Sequence, residues 1–362
     1  MPVRYYLEPT NGRKSEETMV ARFRRGLLLV AALVVAAGAW AAEPLHVAVT
    51  TAAENAPFFA AVENGLFAKQ GLDVKVDMMP SGVEISNALA SGTVDVGLFG
   101  TYPFLVAVSR GIPLVLIGHT WNNALNNPQS EVISMVARAD AGVPAGDLAK
   151  LKGKKVGVTR GAGGEPYIAG ILQQVGLTVN DVTMVNTAPS SMATALANKD
   201  ADVIVAWEPW PSAALTKVPG AYKVIYGGCK SCYDAGTVVT TKDVIAKKSK
   251  ALEAFIVAYA EAQAWTRAHR DEAALISTRW IPGMDKETLS LALKSLPLDV
   301  RLSKNTVEGF KEHAIPLLLS QKRIPAIFDP APAIDNTFVA AAMKADPSAF
   351  ADLKELPADK RL

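Results

Sequence analysis

From Leu45 onward, short apolar runs alternate with stretches of helical spacing, the pattern of parallel α/β construction. Residues 45–50 read as a first strand, 58–67 as a helix whose start is marked by Pro57, and 72–78 as a second strand. Residues 83–90 read as a helix, 94–99 as a short buried strand, 102–109 as another helix, and 114–117 as a further strand of the same sheet. This first unit is expected to be complete near Thr120.

A polar, turn-rich stretch, 121–130, separates it from a second unit that repeats the same logic. Strands are expected at 132–136, 156–159, 182–185 and 203–206, with helices at 166–174 and 190–198. Residues 222–226 and 238–241 are expected to return to the first unit, and the chain then turns helical at 250–269, 272–278, 286–294 and 307–319. The roughly 320 residues after the N-terminal segment exceed what one core usually fills. The expected division is lobe 1 in 42–121, lobe 2 in 122–235, and a return to lobe 1 with C-terminal helices in 236–362.

The first 41 residues stand outside this pattern. Arg22, Arg24 and Arg25 precede the apolar stretch 26–38, and Ala39-Trp40-Ala41 reads as a small-residue cleavage site. Residues 1–41 are therefore expected to be a signal peptide cleaved before Ala42, delivering the chain to the periplasm. The apolar stretch is too short for a stable membrane span, and no cysteine follows it to carry a lipid. Met19 would start a more ordinary signal than Met1, and Arg24-Arg25 keeps a twin-arginine route open beside the general one. Removing residues 1–41 takes six basic and three acidic side chains from totals of 37 and 35, so the remainder is near electroneutral. That argues against nucleic acid or an anionic membrane as partner.

Cys229 and Cys232 are the only cysteines. In a cytosol a C-x-x-C would suggest redox or metal chemistry, but in an exported chain the simplest reading is a local disulfide, closing a loop too short to contribute much entropically. A zinc site would need further ligands, and none lie near in sequence.

Several motifs, in order, resemble a known family. Ala56-Pro57-Phe58-Phe59, Glu63-Asn64-Gly65-Leu66-Phe67, Gly71-Leu72-Asp73-Val74, Ala90 to Gly97, Leu151 to Val158, Lys199 to Val203 and Trp207-Glu208-Pro209 are similar to the periplasmic solute-binding proteins of nitrate, taurine and alkanesulfonate ABC importers, the NMT1/THI5-like fold group. The resemblance covers nearly all of the chain after residue 41. It implies a type II periplasmic binding fold: two doubly wound α/β lobes joined by two crossing segments, with a hinge and a ligand cleft between them. It also implies a small solute and the membrane subunits of an ABC permease as partners, with no cofactor. The chain is expected to act as a monomer.

Ligand contacts are expected on loops at strand C-termini, where open α/β sheets bind solutes. By position these are Glu54, Asn55, Phe58, Ser81, Gly82, Gly100, Thr101, Trp121, Gly163, Gly164, Glu165, Trp207 and Glu208. The run Gly161-Ala162-Gly163-Gly164-Glu165-Pro166 follows a strand and should open a helix, leaving N–H groups facing a crevice. Family members that take sulfonates often present small hydroxyl residues and a histidine where this chain has Gly163-Gly164-Glu165-Pro166, and a carboxylate there would repel a sulfonate. Glu54, Glu165 and Glu208 each read equally as helix caps or as partners of a cationic or amine-bearing solute such as an amidine, guanidinium or aminopyrimidine. Trp207, Trp121 and Phe58 would stack on such a ligand or pack in the core.

Catalysis finds little support. His46, His119, His269 and His313 are scattered without metal-binding spacing, and no G-x-S-x-G, Walker loop or dinucleotide fingerprint is present. Eukaryotic relatives that synthesise the thiamine pyrimidine depend on a cysteine-rich motif that this chain lacks. Pyrimidine-precursor binding or synthesis stands as the alternative, as does a sensory binding protein that shares the pocket without transport.

Overall fold

In the computed structural model the described residues are 42–122 and 132–362. The expected signal peptide and most of the 121–130 stretch lie outside them. Two five-stranded mixed sheets organise the chain.

The first sheet runs in the order β2 (Leu72–Met79), β1 (Glu43–Thr50), β3 (Val96–Gly100), β10 (Gly236–Thr241), β4 (Leu114–Trp121). β1 pairs in parallel with β2 along its whole length, from Glu43 opposite Leu72 to Thr50 opposite Met79. β4 is buried at every position, its apolar run 114–117 followed by the buried polar His119 and Thr120. The second sheet runs β7 (Thr183–Asn186), β6 (Lys155–Val158), β8 (Val203–Trp207), β5 (Ile133–Ala137), β9 (Tyr222–Tyr226).

The two sheets share a rule of construction. In each, the fourth strand in spatial order, β10 or β5, is antiparallel to both neighbours. Those are also the strands by which the chain enters from the other sheet: β4 of the first sheet precedes β5, and β9 of the second precedes β10. Two segments therefore cross between sheets, and the C-terminal ends of the parallel strands can face each other across the gap.

Three expectations are corrected. Residues 222–226 do not return to the first sheet; β9 pairs with β5 in the second, and only β10 goes back. The helix expected over 58–67 is two pieces, Ala56–Glu63 and Leu66–Lys69, because Gly65 takes a left-handed φ of 66° that interrupts the helical ladder. The helix expected from Lys250 is preceded by a further short helical piece from Lys242, where the Thr241 side chain accepts the Val244 N–H at 3.2 Å; a kink at Lys248 (φ −130°, ψ 29°) separates the two, and the second runs to Ala268. Its buried face stacks Phe255 on Phe67 with ring centroids 5.0 Å apart. A further helix, Thr337–Ala345, packs against it. Among the described residues no helix is long and apolar enough to cross a membrane.

Candidate ligand cleft

The strand ends converge on one small cavity. From the first sheet it is lined by Thr50 at the end of β1, Glu54 in the turn that follows, Gly82 after β2, Gly100 at the end of β3, Pro103 one turn later, and Trp121 at the end of β4. From the second come Ile133 at the start of β5, Ala162 and Gly163 after β6, and Trp207 at the end of β8. Asp234, in the segment between β9 and β10, completes it. The cavity has a volume of about 40 Å3. At about 10–15 Å3 per water centre, that is room for roughly three waters.

Its chemistry is acidic and aromatic. The lining holds two carboxyl groups, two indoles and a threonine hydroxyl, and among the described residues no lysine, arginine or histidine lines it. Glu54 is buried, and its Oε2 has no hydrogen-bond partner. Burial, with the Asp234 carboxyl as second cause, pushes the Glu54 carboxyl up to about 8. Asp234 is pushed to about 7 by burial, against the pull of N–H groups from Ala235 and Thr101 and of the Thr101 hydroxyl. Gly163 makes room for this aspartate, and Gly100 lies in ordinary contact with it. A Cβ on Gly163 would stand 3.1 Å from Asp234 Oδ2, and one on Gly100 would stand 3.8 Å from Oδ1.

Of the positions singled out in the sequence, Glu54, Gly82, Gly100, Trp121, Gly163 and Trp207 meet at this cavity. The others surround it or support it. Asn55 Nδ2 donates to the Thr50 carbonyl at 2.8 Å, which holds the β1 turn. Phe58 lies in the core against Phe67 and Phe255. The Ser81 side chain accepts the Val83 N–H at 3.3 Å and bonds Glu84, capping the helix Gly82–Ala90. Thr101 exchanges hydrogen bonds of 3.0 Å with the Ala235 backbone, tying β3 to the segment that carries Asp234. Gly164 packs so closely on β8 that a Cβ would come 2.9 Å from the Val205 carbonyl oxygen.

The remaining two glutamates are engaged elsewhere. Glu165 accepts the Gly161 N–H at 2.9 Å and pairs with Arg323. Buried Glu208 accepts the Ser212 N–H at 3.2 Å at the start of the helix Trp210–Lys217, and its backbone carbonyl accepts the Ala53 N–H at 3.1 Å. His119 is buried between the Gly236 carbonyl (2.8 Å) and Thr306 Oγ1 (3.1 Å), and burial lowers it to about 4, so it is neutral.

Thr50, Ile133 and Asp234 line the cavity without having been singled out, and Pro103 and Ala162 line it from strand-end loops that were. Asp234 had one available signal: it follows Cys229-x-x-Cys232-Tyr233 directly before a strand, on a segment that must cross between sheets. Cys229 and Cys232 stand at disulfide distance, their Cα atoms 5.3 Å apart. Among the described residues no cluster of three or more metal-ligating side chains occurs.

Known proteins share this architecture. An aliphatic sulfonates-binding protein of Bacillus subtilis (strain 168) is 27% identical over 294 residues, 80% of this chain and 85% of its own. The structure of the alkanesulfonate-binding protein SsuA from Xanthomonas axonopodis pv. citri bound to MOPS superposes with a TM-score of 0.70 at 19% identity, covering 81% of this chain and 98% of that one. The periplasmic nitrate-binding protein NrtA from Synechocystis PCC 6803 superposes at 0.69 and 17% identity, covering 87% and 91%. These structures establish a periplasmic-binding-protein fold, two α/β lobes with a cleft between them. The NMT1/THI5-like family model matches residues 52–273, more than half of the sequence, and the chain belongs to that family.

Proposed function

We propose that the chain is the extracytoplasmic solute-binding component of an ABC importer, that it captures a small cationic or amine-bearing organic solute, and that it hands this solute to the permease membrane subunits. The observation that carries the ligand class is the pair of carboxyl groups, buried Glu54 and half-buried Asp234, on one cavity that among the described residues no basic side chain lines. A sulfonate or nitrate would face two groups that repel it whenever either is ionised. A cation finds both carboxyl oxygens and the faces of Trp121 and Trp207, and aromatic faces attract cations. The cavity suits a solute of a few heavy atoms.

The same reading takes residues 1–41 as a signal peptide removed before Ala42 and places the chain in the periplasm as a monomer. It divides the chain into lobe 1 from 42–121 and 236–362 and lobe 2 from 122–235, and takes Cys229–Cys232 as a disulfide formed in that oxidising compartment.

A thermal-shift screen tests it. Saturating ligand stabilises the folded state by about 2.7 kcal/mol at a hundredfold excess over Kd. Guanidinium, acetamidinium and methylammonium should raise Tm, with taurine, alkanesulfonates and nitrate silent. A rise with sulfonates or nitrate alone would return the site to anion binding.

A further inference from the structure

We propose that the cleft takes up its cation in exchange for a proton held by the Glu54–Asp234 pair. This rests on the cationic reading above and adds to it a rule for when the site is loaded.

The geometry leads there. Glu54 lies in the turn after β1, is 5% exposed, and keeps one carboxyl oxygen without a partner beside the cavity. Asp234 arrives from the crossing segment and lies against Gly100 and Gly163, its Oδ1 accepting the Ala235 N–H at 3.0 Å. Among the described residues no basic side chain lines the cavity with them. Among the described residues the titratable groups that face the pair are Tyr259 from the stretch Lys242–Ala268, Tyr102 from the helix Thr101–Ser109, and Tyr233 next to Asp234. Burial raises all three phenols, so they stay uncharged at neutral pH.

Two carboxylates in a cavity of this size, without a counter-ion, are not both ionised at neutral pH, because each desolvated charge repels the other. At least one proton therefore stays on the pair in the empty site, in line with the raised titration of both groups. When a monocation enters, its N–H donors take over the carboxyl oxygen that held the proton, and that proton leaves to solvent. One positive charge enters and one leaves, so the cavity's net charge is unchanged. Loading should then strengthen with rising pH and weaken as the surroundings acidify, the reverse of a site that holds an anion on protonated carboxyl groups.

Calorimetric titration with guanidinium at low millimolar concentration, from about pH 5.5 to about 9, reads this directly. Each pH point is repeated in two buffers of different protonation enthalpy to count protons. The expected result is a Kd that falls about tenfold per pH unit below the pair's titration and levels above it, with about one proton released per cation on the acid side. Glu54→Gln should abolish the release and flatten the slope. Asp234→Asn provides the same test should the first variant fold poorly. Guanidinium binding with a pH-independent Kd and no proton release would overturn the exchange and leave the cation reading standing. Failure of guanidinium to bind at any pH, with nitrate or taurine binding more tightly at low pH, would overturn both.

Discussion

Glu165 pairs with Arg323, a residue 158 positions later, while the same carboxylate oxygen caps the Gly161 N–H at 2.9 Å. The glycine-rich turn of the second sheet is thereby tied to the C-terminal helical segment, and Gln321 Nε2 adds a bond to the Pro166 carbonyl at 3.4 Å. A Cβ on Gly161 would meet Val83 Cγ2 at 3.0 Å and Arg323 Nη2 at 3.6 Å, so the helix Gly82–Ala90 also lies against this turn. The turn that forms one wall of the cavity is held from outside it.

A partly exposed ion pair of this kind contributes at most about 1 kcal/mol. Glu165→Gln and Arg323→Ala should each lower Tm slightly and change solute affinity by no more than about fivefold. Kd values for the two variants, measured side by side, check this. A loss of tenfold or more in Glu165→Gln that Arg323→Ala does not share would put the carboxylate on the solute instead.

Stability against pH follows from the buried groups. Glu54 is raised from 4.5 to about 8 and Asp234 from 3.8 to about 7, so each contributes stability that is fully present below its unfolded value and is lost as pH rises through its folded one. Glu208 is raised by burial as well and acts in the same sense. His119, lowered from 6.5 to about 4, does the opposite: its contribution is present above 6.5 and is lost as pH falls toward 4. Between 6.5 and about 8 only the carboxyl contributions change among these groups, so the Tm of ligand-free protein should fall across that window. Glu54→Gln should make the fall shallower, and His119→Gln should leave it in place. Differential scanning calorimetry at stepped pH gives the answer, and a flat profile in the unsubstituted protein would remove the raised carboxyl groups from the account.

Trp207 ends β8 on the cavity and is only partly buried, whereas Trp121 ends β4 at 3% exposure. Cation–π attraction is worth about 0.5–2 kcal/mol, so Trp207→Leu should weaken guanidinium binding by roughly 2- to 30-fold. Urea, of the same shape without the charge, is the control and should bind with little change. Trp121→Leu should lower Tm more than Trp207→Leu, because it empties a nearly closed site. Equal losses for guanidinium and urea would assign Trp207 to shape alone.

Much of the cleft was legible along the chain. In open α/β sheets loops at strand C-termini share a crevice, so reading where β1, β2, β3, β4, β6 and β8 end was enough to bring Glu54, Gly82, Gly100, Trp121, Gly163 and Trp207 to one place. Glu165 and Glu208 sit in the same loops, yet their side chains turn to local N–H groups and to Arg323. Loop membership says nothing about rotamer. Asp234 lies in a segment without periodicity, and its place depends on β9 joining one sheet and β10 the other. The edge position of β9 was misread for the same reason: an apolar strand carries no mark of the sheet it will pair with.

The sequence by itself determined the alternation of strands and helices, the two repeated units and the acidic, aromatic character of the strand-end loops, because each depends on neighbours within a few residues. Only the tertiary structure decided which carboxyl groups face one another. Glu54 and Asp234 are 180 positions apart, and what joins them is the crossing of the chain between two sheets, a long-range pairing that local propensity does not encode.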